Sequence, residues 1–233
     1  MARKLVVEGI GTFFLVLTIG LVVLGRGAGA FAPLAVGFVL MVMVYAGGHV
    51  SGAHYNPAVS LAVRLRGLGN GRELFGYWIA QVLAAALAAV VVPTLLPGEL
   101  EIIRGEHIVA DLLVAEFLFT FALAYVVLNV ATAAGTKGNS YFGLAIGLTV
   151  TAGAYAVGPI SGAAFNPAVA VGLALLGIID VGEMLLMIII QFAGAAAAAG
   201  VFDWLDLDVD KPTTATPAEQ AGLRAAGDPE PRR

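Results

Sequence analysis

The chain has 233 residues, of which 60% are hydrophobic and only 12% are charged, and its mean hydropathy is +0.94. A soluble domain carries about 25% charged residues, so this composition excludes an ordinary soluble protein and predicts that a lipid bilayer covers much of the surface. The absence of cysteine excludes disulfides and thiolate metal sites. The formal net charge of −4 gives no sign of a nucleic-acid partner, and with only three histidines we expect no metal site and no cofactor.

Several apolar runs are as long as the ~20 residues that a helix needs to cross the hydrocarbon core of a bilayer. Only helices and closed barrels satisfy the backbone in lipid, and runs rich in alanine and leucine favour helices. We therefore predict an all-α integral membrane protein. In chain order the six predicted spans are about Lys4–Leu24, Pro33–Ala53, Leu74–Leu95, Val109–Val130, Phe142–Val157 and Glu183–Trp204.

The first span could be read as a secretory signal peptide, because Arg3 and Lys4 precede it and Ala28-Gly29-Ala30 resembles a cleavage site. Its apolar region is too long for a signal peptide and contains Glu8. We therefore expect a structural helix here.

A glycine-rich loop follows the second span and returns after the fifth. Gly48–Val59 reads GHVSGAHYNPAV and Gly158–Val169 reads GPISGAAFNPAV, with eight identities in twelve positions. The apolar stretches that follow, Pro57–Val63 and Pro167–Leu176, are too short to span a bilayer and too apolar for a solvated loop. They are predicted to be half-helices that enter the membrane and stop.

The repeat extends beyond the loops. Glu8 and Glu116 each begin the pattern Glu-x-x-x-Thr-Phe, and Gln81 and Gln191 each lie 25 residues after the asparagine of their loop. Each half, about 1–97 and 108–204, thus has three spans, and because three is odd the second half is inverted. Inverted repeats of this kind place a site at discontinuous helices near the bilayer midplane.

The Asn-Pro-Ala boxes carry the chemistry. Asparagine is a favoured N-cap and proline suits the first position of a helix, so two helix N-termini, each worth roughly +0.5 charge, should meet near the membrane centre. The amides would donate hydrogen bonds to a passing water, and the helix ends would oppose cations. The predicted pore residues are Asn56, Pro57, Ala58, Asn166, Pro167 and Ala168.

The basic residues predict the orientation, because cytoplasmic loops carry the excess of Lys and Arg. With the N-terminus inside, ten of them are cytoplasmic and only Arg26 and Arg104 are outside. Residues 205–233 are acidic and rich in Pro and Ala, and we expect a disordered cytoplasmic tail.

Over about Lys4–Trp204 the sequence resembles the aquaporin (major intrinsic protein) family, because it has two such boxes in inverted halves and a glutamate in spans one and four. The resemblance implies a passive channel for water and small uncharged solutes, with a pore in each protomer of a homotetramer. It implies that Asn56 and Asn166 are the central donors and that Glu8 and Glu116 hold the loops.

Four further residues are assigned supporting roles. His49 and His54 match loop histidines of many relatives, and structural packing is the expected role of both. Gln81 and Gln191 are expected to make interhelical hydrogen bonds, with pore lining as the alternative.

Counted from the boxes, the family's selectivity filter falls on Val36, Ala154, Ala163 and Val169. Water-selective members have an aromatic residue, a histidine, a small residue and an arginine there, and glycerol-conducting members keep the arginine. The pore is therefore expected to be wider and apolar, and to exclude protons less strongly. A bacterial branch with valine for this arginine is associated with arsenicals, so we expect glycerol-like polyols, neutral metalloid hydroxides or methylated arsenicals to pass, in a bacterial or archaeal inner or plasma membrane.

Two other functions compete with a channel. A coupled secondary transporter also uses inverted repeats, but it needs titratable groups beyond the paired glutamates. An intramembrane enzyme would need a nucleophile and a base. Ser51 near His49 or His54 is the only candidate pair, and Ser161, the counterpart of Ser51 in the second half, has no nearby histidine. We therefore expect no enzyme activity.

Overall fold

The computed structural model describes residues 1–25, 27–96 and 108–205. In these ranges the chain is helical, with two short 3-10 segments (Gly29–Phe31 and Ala134–Thr136) and no strand. Arg26, Arg104 and the predicted tail beyond residue 205 lie outside the described residues. The α-helices are α1 (Ala2–Gly25), α2 (Ala32–Ser51), α3 (Pro57–Leu65), α4 (Gly71–Leu95), α5 (Val109–Thr132), α6 (Phe142–Ser161), α7 (Pro167–Leu175) and α8 (Val181–Trp204).

Six of these helices are long and apolar enough to cross a bilayer, whereas α3 and α7 have nine residues each. The predicted all-α fold with six spans and two half-helices is confirmed. The outer faces are apolar: on α4, Phe75, Ile79, Leu83 and Leu87 follow at four-residue spacing and are between 47% and 65% exposed. A continuous apolar face of this length suits contact with hydrocarbon, as expected for an integral membrane protein.

Three spanning helices end two or more residues away from the predicted spans, one of them α5, which runs to Thr132 rather than Val130. The second span was expected to reach Ala53, but α2 ends at Ser51 because Gly52 adopts the left-handed conformation (φ +88°). The fifth was expected to end at Val157, but α6 continues through Pro159 to Ser161. Proline lacks an N–H, but it stands in the last turn, where this loss does not end the helix.

Two other helices begin earlier than predicted, because capping residues precede them. The Oδ1 atom of Asn70 accepts from the N–H of Glu73 at 3.0 Å at the start of α4. At the start of α8, Asp180 and Glu183 form a reciprocal capping box. Such caps satisfy backbone N–H groups that have no partner within the helix.

The halves α1–α4 and α5–α8 have matching contacts. In the first half α1 packs against α2 and α4, in the second α5 packs against α6 and α8, and α2 crosses α6 between the halves. Each half-helix packs against a spanning helix of the other half: α3 packs against α8 and α7 packs against α4. Each half-helix is thus held by the last helix of the other half.

The crossing of α2 and α6 depends on a pair of glycines. A Cβ atom on Gly37 would lie 2.6 Å from the carbonyl oxygen of Gly147. No side chain fits at that distance, so the two backbones are in direct contact. Small residues at such crossings let membrane helices approach closely.

Candidate functional site

Each Asn-Pro-Ala box begins a half-helix. The backbone of Asn56 is extended (φ −156°, ψ 119°), and its Oδ1 accepts from the N–H of Ala58 at 2.8 Å and, more weakly, of Val59 at 3.4 Å. Asn166 does the same at the start of α7, with φ −157° and a distance of 2.9 Å to the N–H of Ala168. Both asparagines are therefore N-caps, and a proline occupies the first helical position after each.

The two boxes bind each other through the amide groups of these asparagines. The Nδ2 atom of Asn56 donates to the carbonyl oxygen of Phe165 at 2.9 Å, and Nδ2 of Asn166 donates to that of Tyr55 at 2.9 Å. Each amide nitrogen carries two hydrogens. One is used to join the loops, and the other is left to donate to a molecule between them.

The N-termini of α3 and α7 lie together, since the two half-helices are in contact and their caps bond across. A helix N-terminus is equivalent to roughly +0.5 elementary charge. Two of them facing one point create a positive potential that attracts the oxygen of a water and repels cations.

The carboxylate of Glu8 holds the first loop from α1. Its Oε1 accepts from the hydroxyl of Ser51 at 2.7 Å and from the N–H of His54 at 3.0 Å. Its Oε2 accepts from the N–H of Tyr55 at 2.7 Å and from Nε2 of Gln81 at 2.8 Å. The side chain is fully buried, and these four donors compensate for the loss of solvent.

Glu116 holds the second loop in the same way from α5. Its Oε1 accepts from Ser161 at 2.8 Å and from the N–H of Ala164 at 3.0 Å. Its Oε2 accepts from the N–H of Phe165 and from Nε2 of Gln191, both at 2.8 Å. The two glutamates therefore occupy equivalent cages, each with two backbone and two side-chain donors.

These bonds stabilise an unfavourable backbone. Ala53 (φ +51°), Tyr55 (φ +48°), Ala163 (φ +53°) and Phe165 (φ +49°) are in the left-handed region without being glycine. That conformation costs roughly 1–2 kcal/mol per residue. The loop shape is thus kept by the buried carboxylates, because local backbone preference alone does not favour it.

The two histidines are in different places. The backbone of His54 donates to Glu8, and its Nδ1 lies 3.0 Å from Oγ of Ser60. Its ring packs edge-on against Tyr77 at 5.1 Å. His49 does not join the cage of Glu8. It is exposed in the last turn of α2 and lines a separate cavity of ≈ 650 Å³.

The asparagines line a small chamber in the middle of the protein. This central chamber of ≈ 30 Å³ also has Leu40, Ile146 and Val150 in its wall, and it has room for about two water molecules. His54 is its other polar side chain among the described residues. A guest molecule therefore meets few hydrogen-bonding side chains besides the two asparagine amides.

A wider cavity adjoins the chamber on one side. This cavity has a volume of ≈ 350 Å³ and is called the second vestibule because it adjoins the second loop. It is lined by all four predicted filter residues, Val36, Ala154, Ala163 and Val169. Three of them, Val36, Ala163 and Val169, also line the central chamber, so the two spaces adjoin at these side chains. All four side chains are apolar and carry no donor or charge.

A third cavity lies at the other end of the repeat. This first vestibule of ≈ 650 Å³ is lined by Gly48, His49 and Gly52 of the first loop region and by Phe142 at the start of α6. Its loop residues Gly48 and Gly52 correspond in the repeat to Gly158 and Gly162, which line the second vestibule. The two vestibules are therefore related by the inverted repeat.

Sequence reasoning missed several of the contacts that build the site. Ser51 and Ser161 are donors to the glutamates, and the repeated Ser-Gly-Ala before each box was the available signal. The carbonyls of Tyr55 and Phe165 that accept from the opposite asparagine had no signal, because a backbone atom leaves no mark in the sequence. Tyr77, which donates to the carbonyl of Ser51 at 2.6 Å, was also missed.

Comparison with known proteins agrees with this architecture. The family model described as major intrinsic protein matches the chain over residues 1–155 and again over 113–226. The chain is 39% identical to Aquaporin NIP1-4 of Oryza sativa subsp. japonica, over 90% of this chain and 79% of that protein. It is 32% identical to Aquaporin NIP1-2 of Arabidopsis thaliana, over 90% and 76%.

A solved structure shares the fold. The chain superimposes on the X-ray structure of the aquaglyceroporin from Plasmodium falciparum with a TM-score of 0.71 and 21% identity, covering 87% of this chain and 95% of that one. The two relatives compared by sequence, from Oryza sativa and Arabidopsis thaliana, are plant proteins and lend no support to the expected bacterial or archaeal origin. With two matches of the family model that together cover nearly the whole chain, this protein belongs to the major intrinsic protein family.

Proposed function

We propose that the protein is a passive channel for water and small uncharged solutes, with a pore through each protomer. The observation that carries the proposal is the pair of asparagine amides, each with one free N–H, at the junction of two opposed helix N-termini. The aquaporin and aquaglyceroporin names of the relatives support it.

In this mechanism Asn56 and Asn166 orient the permeating water. Its oxygen accepts from both amides, so its hydrogens point away along the pore and the water can no longer accept a proton from a neighbour. The positive helix ends raise the energy of a cation at the same point. Water passes, and the hydrogen-bonded wire that would carry protons is interrupted.

We further propose that Val36, Ala154, Ala163 and Val169 act as the selectivity filter, which is wide and apolar. Without an arginine, the filter has no cationic barrier and no side-chain donor to replace the hydration of a polar solute. It therefore favours uncharged, weakly hydrated solutes over sugars and ions. Glycerol-like polyols, neutral metalloid hydroxides and methylated arsenicals are the solutes to test.

A coupled transporter fits the site less well. Glu8 and Glu116 each accept four hydrogen bonds within the protein. Carrying a proton would break the cage that shapes the loop. Ser51 is likewise engaged by Glu8 rather than by a histidine, which argues against a nucleophile there.

We propose that the first vestibule faces the cytoplasm. Arg66 and Lys137 line it, and Lys4 and Arg64 line a neighbouring cavity next to it, with Leu68 in both walls. Basic residues thus gather at this end, as the cytoplasmic side requires. Both termini would then be cytoplasmic, residues 1–204 would form the channel domain with inverted halves, residues 205–233 would be the tail, and four chains would assemble as a homotetramer.

The experiment is stopped-flow light scattering on proteoliposomes with water, glycerol and a neutral metalloid hydroxide. Wild type is compared with Val169→Arg and with Val169→Leu, which adds bulk without charge. We expect wild type to pass all three solutes and Val169→Arg to block the larger ones while sparing water. Wild-type liposomes that are no more permeable than empty ones would refute the channel, and equal effects of Arg and Leu would refute the charge argument.

A further inference from the structure

We infer that the size limit of the pore is set by Phe142 and Ile146 in the half next to the first vestibule, and not by the four filter positions. The inference rests on the proposed passive permeation through this pore. It follows from comparing the two ends of the pore residue by residue.

The inverted repeat pairs the lining residues of the two ends. Residues of α2 and α6 correspond at a spacing of 110 positions, as the two asparagines do, so Ala32 pairs with Phe142 and Val36 with Ile146. Ala32 and Val36 line the second vestibule. Phe142 lines the first vestibule and Ile146 the central chamber.

At these pairs the first-vestibule half has the larger side chain each time. Phenylalanine replaces alanine and isoleucine replaces valine on the face of the spanning helix. The half-helix side does not compensate, because Val59 in the first half pairs with Val169 in the second. At these two positions the wall is therefore bulkier on the first-vestibule side, by a phenyl ring and a methylene group.

The vestibules also differ in how they meet the central chamber, although the first (≈ 650 Å³) is larger than the second (≈ 350 Å³). The second vestibule and the central chamber share Val36, Ala163 and Val169 in their walls. The first vestibule and the chamber share no lining residue among the described parts of the chain. Phe142 at the first vestibule and Ile146 at the chamber are one helical turn apart on α6, so they stand on the wall between these two spaces.

The ring of Phe142 is held in place. It packs edge-on against Tyr45 at 5.1 Å. The hydroxyl of Tyr45 donates to the carbonyl of Ser140 at 3.2 Å and accepts from the N–H of Leu144 at 3.1 Å. A Cβ atom on Gly48, three residues after Tyr45 on the same helix α2, would lie 3.3 Å from the ring, so the glycine leaves room for the ring against α2 and little more.

The test measures the permeability of proteoliposomes to water, ethylene glycol, glycerol, erythritol and xylitol. Phe142→Ala is expected to raise erythritol permeability about tenfold, equivalent to ~1.4 kcal/mol of barrier. Ile146→Val, a milder change that spares the fold, is expected to raise it in the same direction. Phe142→Leu keeps most of the bulk and should behave as wild type, and Val36→Ala should change little because the second vestibule is already open.

The outcomes separate the two proposals. A wild-type water permeability no greater than that of empty liposomes would overturn the channel and this inference together. With water conduction intact, polyol permeabilities unchanged in both Phe142→Ala and Ile146→Val would overturn the inference alone. So would an increase in Val36→Ala as large as that in Phe142→Ala.

Discussion

Replacement of Glu116 by glutamine keeps the size of the side chain and removes one acceptor from the cage of the second loop. Each carboxylate oxygen accepts one backbone N–H, from Ala164 on Oε1 and from Phe165 on Oε2. An amide can accept on only one of these sides. Whichever way it points, one backbone N–H faces an NH₂ group and loses its acceptor.

The cost follows from the burial of this site. A buried donor left without an acceptor costs about 1–3 kcal/mol, so we expect the free energy of unfolding to fall by that amount. For a chain of this length each kcal/mol corresponds to roughly 2–4 °C in Tm. Water permeability should fall too, since the carbonyl of Phe165 holds the amide of Asn56.

The assays are thermal unfolding in detergent and water permeability in proteoliposomes. Glu8→Gln should have an effect of similar size, because its cage has the same donors. Thr12→Val is the control: Thr12 is one turn further on α1, is fully buried, and its hydroxyl has no hydrogen-bond partner in the described part of the chain. A Glu116→Gln protein with wild-type Tm, or an effect limited to one glutamate, would refute the reasoning.

Two further changes test the loop itself. Asn166→Asp keeps an N-cap but removes the donor to the carbonyl of Tyr55 and adds a negative charge between the helix ends. We expect a larger proton leak, measured with a pH-sensitive dye inside liposomes. An unchanged leak would contradict the electrostatic argument. Gly162→Ala introduces a side chain at φ +80° and should lower stability by roughly 1–2 kcal/mol. Gly158→Ala, in a helix with open space around it, should not lower it, and equal Tm values for the two variants would count against the backbone argument.

The architecture could be predicted because the residues that build it occur twice. The length of the apolar runs predicted the spans, and the paired boxes with Glu8 and Glu116 predicted the inversion. Helix ends were less predictable. Asn70 and Asp180 are capping residues that the length of an apolar run does not reveal, and the fifth span was expected to end at Val157, whereas α6 continues through Pro159 to Ser161.

The partners within the site could not be predicted, because many of them are backbone atoms. The Asn-Pro-Ala boxes predict two N-caps, but the carbonyls of Tyr55 and Phe165 become acceptors only when the two loops face each other. The same holds for Ser51. Its place near His49 and His54 in the sequence raised the question of a nucleophile, and only the fold brings it to Glu8.

The paired halves explain why neither loop could work alone. The carbonyl that accepts from each asparagine amide belongs to the opposite loop, and each half-helix packs against the last helix of the other half. A single half would leave its polar loop and its helix end in lipid, where unsatisfied backbone groups cost several kcal/mol each. The parts that shape the loops, the glutamates and their donors, must therefore be alike in both halves.

The residues that line the pore do not have to be alike in the two halves. Side chains such as Phe142 and its counterpart Ala32 touch the pathway without holding the loops, so they can differ between the halves while the cages stay the same. Residues that are alike in both halves shape the loops, and the inferred size limit depends on residues that differ between the halves. Val59 and Val169 are identical, so a difference in width between the two ends must come from pairs that differ, such as Ala32 with Phe142 and Val36 with Ile146.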